Sequence, residues 1–241
     1  MSVRHSPDGV ARGKRLELAD IFAHHAGAFL QTHRVPQRHL KVVRAVVNCR
    51  TATLGGHRTR CKSCDFERFV YHRCRNRHCP KCQTYSTEAW RKARQLELLP
   101  VPYFHQVFTL PHELNAWVLA SESTQRKLLK LLFDAASAIL LEFGRGELGG
   151  QIGFTLVLHT WDQQLRPHFH VHVLIASGAL ANDGRRWIAG GSKFLFPVRA
   201  LSQVFRAKYL DGLAALVNDK AIQLPSHLGH NGASRLPSGW L

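Results

Sequence analysis

The sequence predicts an α+β protein with an N-terminal helical, cysteine-rich module followed by a region that mixes strands and helices. Three observations predict this class. Apolar residues recur at helical spacing in several segments, all six cysteines lie between Cys49 and Cys82, and short apolar segments later in the chain have strand character. A length of 241 residues is enough for one or two domains with a genuine core.

The N-terminal half begins with residues 1–15, for which we expect a flexible basic tail. Apolar positions at helical spacing predict a helix from Leu16 to His33, and a second helix follows Pro36. Residues 49–82 are rich in Cys, His, Gly and Arg, so they offer little for an apolar core. A short polar helix is predicted from about Ser86 to Leu98.

The C-terminal half alternates strands with helices. The predicted elements are a strand Tyr103–Leu110, a long helix closed by the glycines of GRGELGG, strands 152–160 and 168–175 joined by WDQQLRP, and a helix 198–218. The residues from Pro225 onward show no periodicity, and we expect an irregular tail at 225–241.

The charge of the chain indicates a polyanionic partner. Lys and Arg outnumber Asp and Glu by 33 to 16, which gives a net charge of +17. Such an excess favours a phosphate backbone, because binding releases its counterions. There is no apolar run of membrane-span length and no secretory signal, so we expect a cytoplasmic protein that makes no membrane contact.

The cysteine spacing predicts structural zinc. Cys61-x2-Cys64 and Cys79-x2-Cys82 form two knuckles, and four thiolates complete a tetrahedron around one ion. A second zinc site could use the remaining candidates, which are Cys49, His57, Cys74 and His78. Redox use of the C-x2-C pairs would require a βαβ context that the sequence lacks.

Basic and aromatic residues are interleaved around these ligands. The cations that we expect to contact DNA are Arg58, Arg60, Arg73, Arg75, Arg77 and Lys81. The nearby rings of Phe66, Phe69 and Tyr71 could stack on unpaired bases or pack a small core, and for Phe69 core packing is the favoured interpretation.

A histidine-rich strand carries the second metal-binding pattern. In Pro167–Ile175 histidine alternates with apolar residues, so His168, His170 and His172 share one face of the strand. Histidines two apart on a strand can converge on one divalent ion while the other face packs into the core. The alternative is an edge strand whose histidines face water.

Long stretches of this sequence resemble rolling-circle insertion-sequence transposases of the two-tyrosine HUH class, which carry an N-terminal zinc-binding domain. The stretches that carry the resemblance are CRTATLGGHRTRCKSCDFERFVYHRCRNRHCPKCQ, LLPVPYFHQVFTLPHEL, LHTWDQQLRPHFHVHVLIASGAL and KFLFPVRALSQVFRAKYLDGL. The resemblance implies a helical, zinc-ribbon-like DNA-binding domain at 16–98 and an incomplete HUH catalytic domain at 99–224.

In that family the His-hydrophobic-His motif lies on the central strand of an antiparallel sheet, beside the strand that matches VFTLP. The motif falls on His170, Val171 and His172, which implies catalytic histidines that bind Mg²⁺ or Mn²⁺ and polarise a phosphate of single-stranded DNA. Gln106 and His159 are candidates for a third ligand. The implied reaction is transposition, in which a tyrosine attacks the phosphodiester and forms a 5′-phosphotyrosine link.

The tyrosines depart from the family pattern. The family places its catalytic tyrosines downstream of the histidine strand, whereas this chain has only Tyr71, Tyr85, Tyr103 and Tyr209. For Tyr209 we expect a core ring with an exposed hydroxyl. We therefore expect a truncated transposase that lacks its nucleophile, binds transposon-end DNA and cleaves it weakly or not at all.

Two other functions remain open from the sequence. The chain could be an inactive zinc-dependent DNA-binding protein that regulates transposition, with a full-length transposase or a second copy as partner. An RNA-binding zinc ribbon is a third interpretation, for which recognition of 2′-hydroxyl groups would favour RNA.

Overall fold

A computed structural model describes residues 16–64 and 66–222 of the chain. The chain divides after Leu98 into two compact units. The predicted tails at 1–15 and 225–241 lie outside the described residues. In the part of the chain that the structure describes, no helix has both the length and the apolar character that crossing a bilayer requires.

The first unit combines three helices with a hairpin. Its elements are α1 (Leu18–Thr32), α2 (Gln37–Val47), β1 (Gly56–Arg60), β2 (Glu67–Tyr71) and α3 (Pro80–Leu96). Among the described residues of this unit, the small core contains three fully buried ones, Val46, Cys49 and Cys79, against which Phe22 and Val42 pack. Two of those three core residues are cysteines, so apolar burial contributes little to holding this unit together.

The hairpin of the first unit has both faces open among the described residues. β1 and β2 pair antiparallel, with Gly56 opposite Tyr71 and Arg60 opposite Glu67. Only Val70 of these two strands is half-buried, while the other positions are exposed. The sequence did not predict this hairpin, because its strands show no alternation of apolar and polar residues.

The second unit is built around a three-stranded antiparallel sheet. Its strands are β3 (Tyr103–Thr109), β5 (Phe154–Trp161) and β6 (Pro167–Ala176), in the order β3-β6-β5. β6 is therefore the central strand, and β3, which contains the first three residues of VFTLP, lies directly beside it as the resemblance implied. A smaller sheet, β4-β7-β8, consists of β4 (Gly150–Gln151), β7 (Gly178–Ala181) and β8 (Trp187–Ala189).

Helices cover one face of the larger sheet. A short helix α4 (Asn115–Val118) precedes the long helix α5 (Glu122–Leu148), and α6 (Val198–Asn218) packs against α5. The core that these helices share with the sheet contains, among others, Phe108, Val171, Val173, Leu132, Leu140, Phe205 and Tyr209. The α+β class predicted from the sequence is confirmed.

The ends of α5 follow from local chemistry and from packing. The Ser121 side chain accepts a hydrogen bond from the backbone N–H of Thr124 at 3.1 Å and thereby caps the first turn. The helix ends at Gly149, where φ is +68°, a left-handed conformation that glycine adopts without strain. The first glycines of GRGELGG lie inside the helix, contrary to expectation, because buried Gly144 packs closely against Ile152.

Replacing Leu132 by Ala is expected to lower the free energy of unfolding by about 2–5 kcal/mol, because the deletion leaves a cavity in the core between α5 and the sheet. Chemical unfolding followed by far-UV circular dichroism measures the change. Leu119→Ala is the matched control: Leu119 is 53% exposed, and its loss should change stability by less than about 0.5 kcal/mol. Equal effects of the two substitutions would contradict the packing described here.

Candidate functional site

Four thiols meet in the first unit. Cys49 follows α2, Cys74 follows β2, Cys79 precedes the first residue of α3, and Cys82 lies in the first turn of that helix. The four sulfur atoms all lie within 4.8 Å of one another. All six cysteines of the chain are free thiols, so this cluster is not a disulfide framework.

The spacing of these sulfur atoms suits a tetrahedral zinc ion. The Sγ atom of Cys82 lies 3.5 Å from that of Cys49 and 3.6 Å from that of Cys74. A zinc–sulfur bond of about 2.3 Å requires tetrahedral sulfur atoms about 3.8 Å apart. The donor set is four thiols, of which Cys49 and Cys79 are buried, so the residues fit a closed structural site.

The backbone around the thiols has the turns that such a site needs. Arg50 and Arg75, each directly after a cysteine of the cluster, have φ values of +59° and +55°. These left-handed residues redirect the chain sharply. Backbone N–H groups of Cys74, Asn76 and Arg75 then donate hydrogen bonds to the sulfur atoms of Cys49, Cys74 and Cys82, respectively. Such N–H···S contacts orient thiolate ligands.

Burial and neighbouring thiols shift the pKa values of the cluster. Burial raises the pKa of the Cys74 thiol to about 12 and raises the pKa of Cys49 as well. For Cys82 burial alone would raise the pKa, but hydrogen bonds from the thiols of Cys49 and Cys74 outweigh it and lower the value. Four thiolates in one place therefore need an opposite charge, which a divalent ion such as zinc supplies.

The structure groups the zinc candidates differently from the sequence prediction. Cys61 and Cys64 are exposed on the turn that follows β1, and neither belongs to the four-thiol cluster. Cys49 and Cys74 take their places beside Cys79 and Cys82. His57 and His78 are exposed and lie outside the cluster, so the described residues of this unit do not form the second site proposed for Cys49, His57, Cys74 and His78.

The cations predicted to contact DNA lie mainly on the surface of this unit. The exposed ones are Arg58, Arg60, Arg73, Arg75 and Arg77. Lys81 differs, because it is half-buried and its ammonium group forms an ion pair with Glu17. Arg75 and Arg77 line a cleft that also contains Arg38 and His78, while Arg73 and Arg75 line a neighbouring one. Both clefts border the loop between β2 and α3.

A second cluster forms on the larger sheet, where His159, His170 and His172 bring one ring nitrogen each within 4.8 Å of the others. His170 and His172 lie on the central strand β6, and His159 is the direct cross-strand partner of His170 on β5. Direct partners share a face of the sheet, so all three rings project from one side. The neighbouring positions Val157 and Leu174 on that side are 40% and 42% exposed, so the face is open.

The opposite face of β6 packs into the core, as the two-residue alternation predicted. Phe169, Val171, Val173 and Ile175 are buried there. Gln106 is the partner of Val173 and therefore lies on this core face. Gln106 cannot approach an ion held by His170 and His172, and His159 is the third-ligand candidate that the structure brings to them.

Hydrogen bonds orient two of the three imidazoles. The Nδ1–H of His170 donates to the backbone carbonyl of His168 at 3.1 Å, which leaves Nε2 of the neutral ring with its lone pair. Nδ1 of His172 lies 2.7 Å from Nε2 of His105 on β3. When the Nδ1–H of His172 donates to His105, Nε2 of His172 is likewise available to a metal ion.

The His172 environment also keeps that ring neutral. Burial and then the neighbouring rings of His159, His170 and His105 lower the pKa of His172 below its ordinary value. A lower pKa leaves the imidazole unprotonated at neutral pH, which is the form that binds a metal. His168 lies at the edge of the cluster, with its ring 4.9 Å from that of His112, and burial lowers its pKa as well.

The structure places Tyr209 in the core rather than at this site. Its side chain is fully buried on α6 and packs beside Phe205. Burial raises the pKa of Tyr209 far above its ordinary value, because the phenolate would lose its hydration. The expected core ring is confirmed, but the hydroxyl is not exposed as the sequence suggested.

Sequence reasoning missed His105 and the grouping of Cys49 with the second knuckle. A signal for His105 was present, because it lies in the strand that the resemblance placed beside the histidine strand. Without the register of β3 against β6, its approach to His172 could not be derived. The fold and the two clusters define a zinc-binding module joined to a domain with the His-Val-His strand of HUH proteins.

Comparison with known proteins identifies the family. A family model described as "Transposase zinc-binding domain" matches residues 21–110, and one described as "Putative transposase" matches residues 153–238. "Putative transposase y4qJ" of Sinorhizobium fredii is 39% identical over 217 residues, covering 88% of this chain and 53% of the relative. These matches support a transposase of the insertion-sequence type with an N-terminal zinc-binding domain.

A second transposase is also similar to this chain. The transposase for insertion sequence element IS801 of Pseudomonas savastanoi pv. phaseolicola is 31% identical over 60% of this chain and 35% of its own length. The chain thus spans 53% and 35% of the two relatives.

The solved structures are of the conjugative relaxase TrwC. Its metal-free complex with oriT DNA is 19% identical over 46% of this chain and 44% of that chain, with a TM-score of 0.37. Its complex with a 27-mer DNA is 15% identical over 82% and 64% of the two chains, with a TM-score of 0.33. Both scores are below 0.5, and the family assignment rests on the sequence matches.

Replacing Cys79 by Ser is expected to abolish zinc binding, because a hydroxyl does not replace a thiolate ligand in the buried cluster. Cys61→Ser should retain about one zinc ion per chain, since Cys61 lies outside the cluster. Elemental analysis of the purified full chain gives the stoichiometry. Loss of zinc from Cys61→Ser would contradict the four-thiol assignment.

Replacing His105 by Ala is expected to weaken Mn²⁺ binding by about 10- to 100-fold, because His172 loses the partner that orients its ring. Titration calorimetry of the full chain measures the affinity. His105→Gln retains a hydrogen-bond acceptor and should recover part of the loss, and His112→Ala, outside the ligand group, should leave the affinity unchanged. An unchanged affinity in His105→Ala would refute the positioning role.

Proposed function

We propose that this chain binds single-stranded transposon-end DNA and holds a divalent metal ion for strand cleavage and rejoining. The observation that carries the proposal is the convergence of His159, His170 and His172 on the open face of the larger sheet. Three imidazole ligands that leave further coordination positions open suit a catalytic rather than a structural ion.

The metal of this site would be Mg²⁺ or Mn²⁺, held by His170, His172 and His159. When bound, such an ion supplies Lewis-acid stabilisation of charge on a phosphate oxygen. The backbone carbonyl of His168 orients the ring of His170, and the ring of His105 orients that of His172. These contacts fix the direction in which the metal-binding nitrogens point. Val157 and Leu174 on that face are 40% and 42% exposed, which would let an extended DNA strand reach the site.

The nucleophile is the element of the reaction that the described residues of the second unit do not supply. Tyr209 is buried in the core. Tyr103 lies on the histidine face, but it is four positions along β3 from Val107, the partner of His172. At about 3.4 Å per residue this places it about 14 Å along the strand from the metal ligands. We therefore propose that strand cleavage by this chain is weak or absent.

The zinc module would act as the DNA-binding part of the chain. The four-thiol cluster, which we propose holds one structural zinc ion, stiffens the loop between β2 and α3, and the arginines of that loop face solvent. Arginine side chains on a rigid scaffold suit contacts with phosphates. The excess charge of the chain, +17, adds a long-range attraction for DNA.

A second candidate function is favoured by the burial of Tyr209. A chain that binds DNA through its zinc module and has no usable nucleophile would act as a regulator of transposition. Its partner would then be a full-length transposase competing for the same DNA, or a second copy of this chain. The role of the histidine cluster distinguishes the two functions.

The full chain incubated with labelled single-stranded DNA and Mn²⁺ is expected to give no more than a trace of covalent protein–DNA adduct, because Tyr103 and Tyr209 cannot reach the metal ligands. Denaturing gel electrophoresis detects the adduct. Abundant adduct that disappears in Tyr209→Phe would show that the buried hydroxyl reaches the site and would overturn this proposal.

The Mn²⁺ dependence of DNA binding tests the histidine cluster separately. Mn²⁺ is expected to strengthen binding of single-stranded DNA by the full chain, and His170→Ala with His172→Ala should remove that gain while leaving metal-independent binding intact. Fluorescence anisotropy at fixed salt measures both. If the double variant responds to Mn²⁺ as the original chain does, the regulator is the better interpretation.

A further inference from the structure

The hairpin β1–β2 exposes two aromatic rings on its surface. Phe69 is 65% exposed and Tyr71 is 44% exposed. The core packing favoured for Phe69 by the sequence is therefore wrong. Single exposed apolar residues are common, but two rings side by side on one strand face indicate a contact surface.

Both rings lie on the same face of the hairpin. Phe69 and Tyr71 are two residues apart on β2, so their side chains project to one side, about 7 Å apart along the strand. Stacked bases lie about 3.4 Å apart, so the spacing of the rings is close to two stacking steps. A single unpaired base could stand between the rings, or one base could stack on each.

A glycine on the opposite strand makes room for the Tyr71 ring. Gly56 is the cross-strand partner of Tyr71. A Cβ atom at Gly56 would lie 2.6 Å from the backbone oxygen of Val70 and 3.2 Å from the Tyr71 ring, so the strand tolerates no side chain there. The Tyr71 ring therefore lies against bare backbone, which limits the orientations it can adopt before a ligand arrives.

The positive charge of this face favours a nucleic acid as its partner. Arg58 is the cross-strand partner of Phe69, and Arg60 follows it on the same side of β1. The Arg58 side chain is 61% exposed and also contacts Glu67 at 3.3 Å. Cations beside exposed rings match a phosphate backbone with accessible bases, whereas the same face on a second copy of this chain would be repelled.

We propose that Phe69 and Tyr71 form a base-stacking platform for single-stranded DNA, with Arg58 and Arg60 contacting the adjacent phosphates. This inference rests on the DNA binding proposed above. It adds a contact that depends on unpaired bases, since a paired base offers its faces to its neighbours in the duplex and not to a protein ring. The platform lies on the zinc module, separate in the chain from the histidine cluster.

The test measures binding of a fluorescent single-stranded oligonucleotide to the full chain over a range of salt concentrations. Phe69→Ala and Tyr71→Ala should each weaken binding by about 5- to 150-fold with the salt dependence unchanged, because stacking releases no counterions. Arg58→Gln should instead reduce the salt dependence. Phe29→Ala, which removes a 51% exposed ring from α1, is the matched control and should have little effect.

Conservative variants separate stacking from mere apolar contact. Phe69→Trp should retain binding, whereas Phe69→Leu, which keeps apolar area but has no π face, should bind as weakly as Phe69→Ala. An oligonucleotide containing 2-aminopurine should show fluorescence quenching with the original chain and lose it with Phe69→Ala. Zinc content and circular dichroism of each variant establish that the module is folded.

The outcomes distinguish this inference from the function on which it rests. If the original chain does not bind single-stranded DNA, both this inference and the proposed function are wrong. Normal binding that Phe69→Ala, Tyr71→Ala and Phe69→Leu leave unchanged would overturn the platform alone. A variant that changes the molar mass in solution from dimer to monomer, without changing DNA affinity, would show instead that the rings join two copies of the chain.

Discussion

The two-residue alternation of β6 is the constraint on which the second unit depends. One side of this strand supplies Val171 and Val173 to the core, and the other side supplies His170 and His172 to the open face. A shift of register by one residue would bury the imidazoles against α5 and expose the valines. The packing that holds the sheet on its helices therefore also determines which side chains meet at the proposed metal site.

In the first unit the proposed metal ligands are themselves part of the core. Its buried cluster is largely thiol, and an unmetallated set of buried thiols contributes less than a comparable set of aliphatic side chains would. Zinc binding would thus contribute directly to the folding free energy of this unit, whereas the sheet of the second unit has an apolar core independent of any ion. The same distinction separates a closed structural site from an open catalytic one.

The sequence predicted the features that depend on local periodicity. It could not predict which distant segments of the chain come into contact. The alternation in 168–175 was sufficient to place three histidines on one face. The sequence named His159 as a candidate third ligand, but its meeting with His170 depends on the β5–β6 turn, where Asp162 accepts hydrogen bonds from the backbone N–H groups of Gln164 and Arg166. Likewise, the C-x2-C spacing identified thiol knuckles, but the fold brings Cys49 and not Cys61 to the second knuckle. Spacing determines which ligands can share an ion within a knuckle, while tertiary structure determines which knuckles meet.

Single-stranded DNA suits both surfaces for complementary physical reasons. The histidine face offers imidazole nitrogens and the proposed ion site, which would contact a phosphate group without any preference among bases. The hairpin offers ring faces beside arginines, which address bases only when these are unpaired. A duplex could satisfy the first surface in part but not the second, because its base faces are already stacked. A chain that uses both surfaces would therefore prefer single strands even though neither surface reads a base edge.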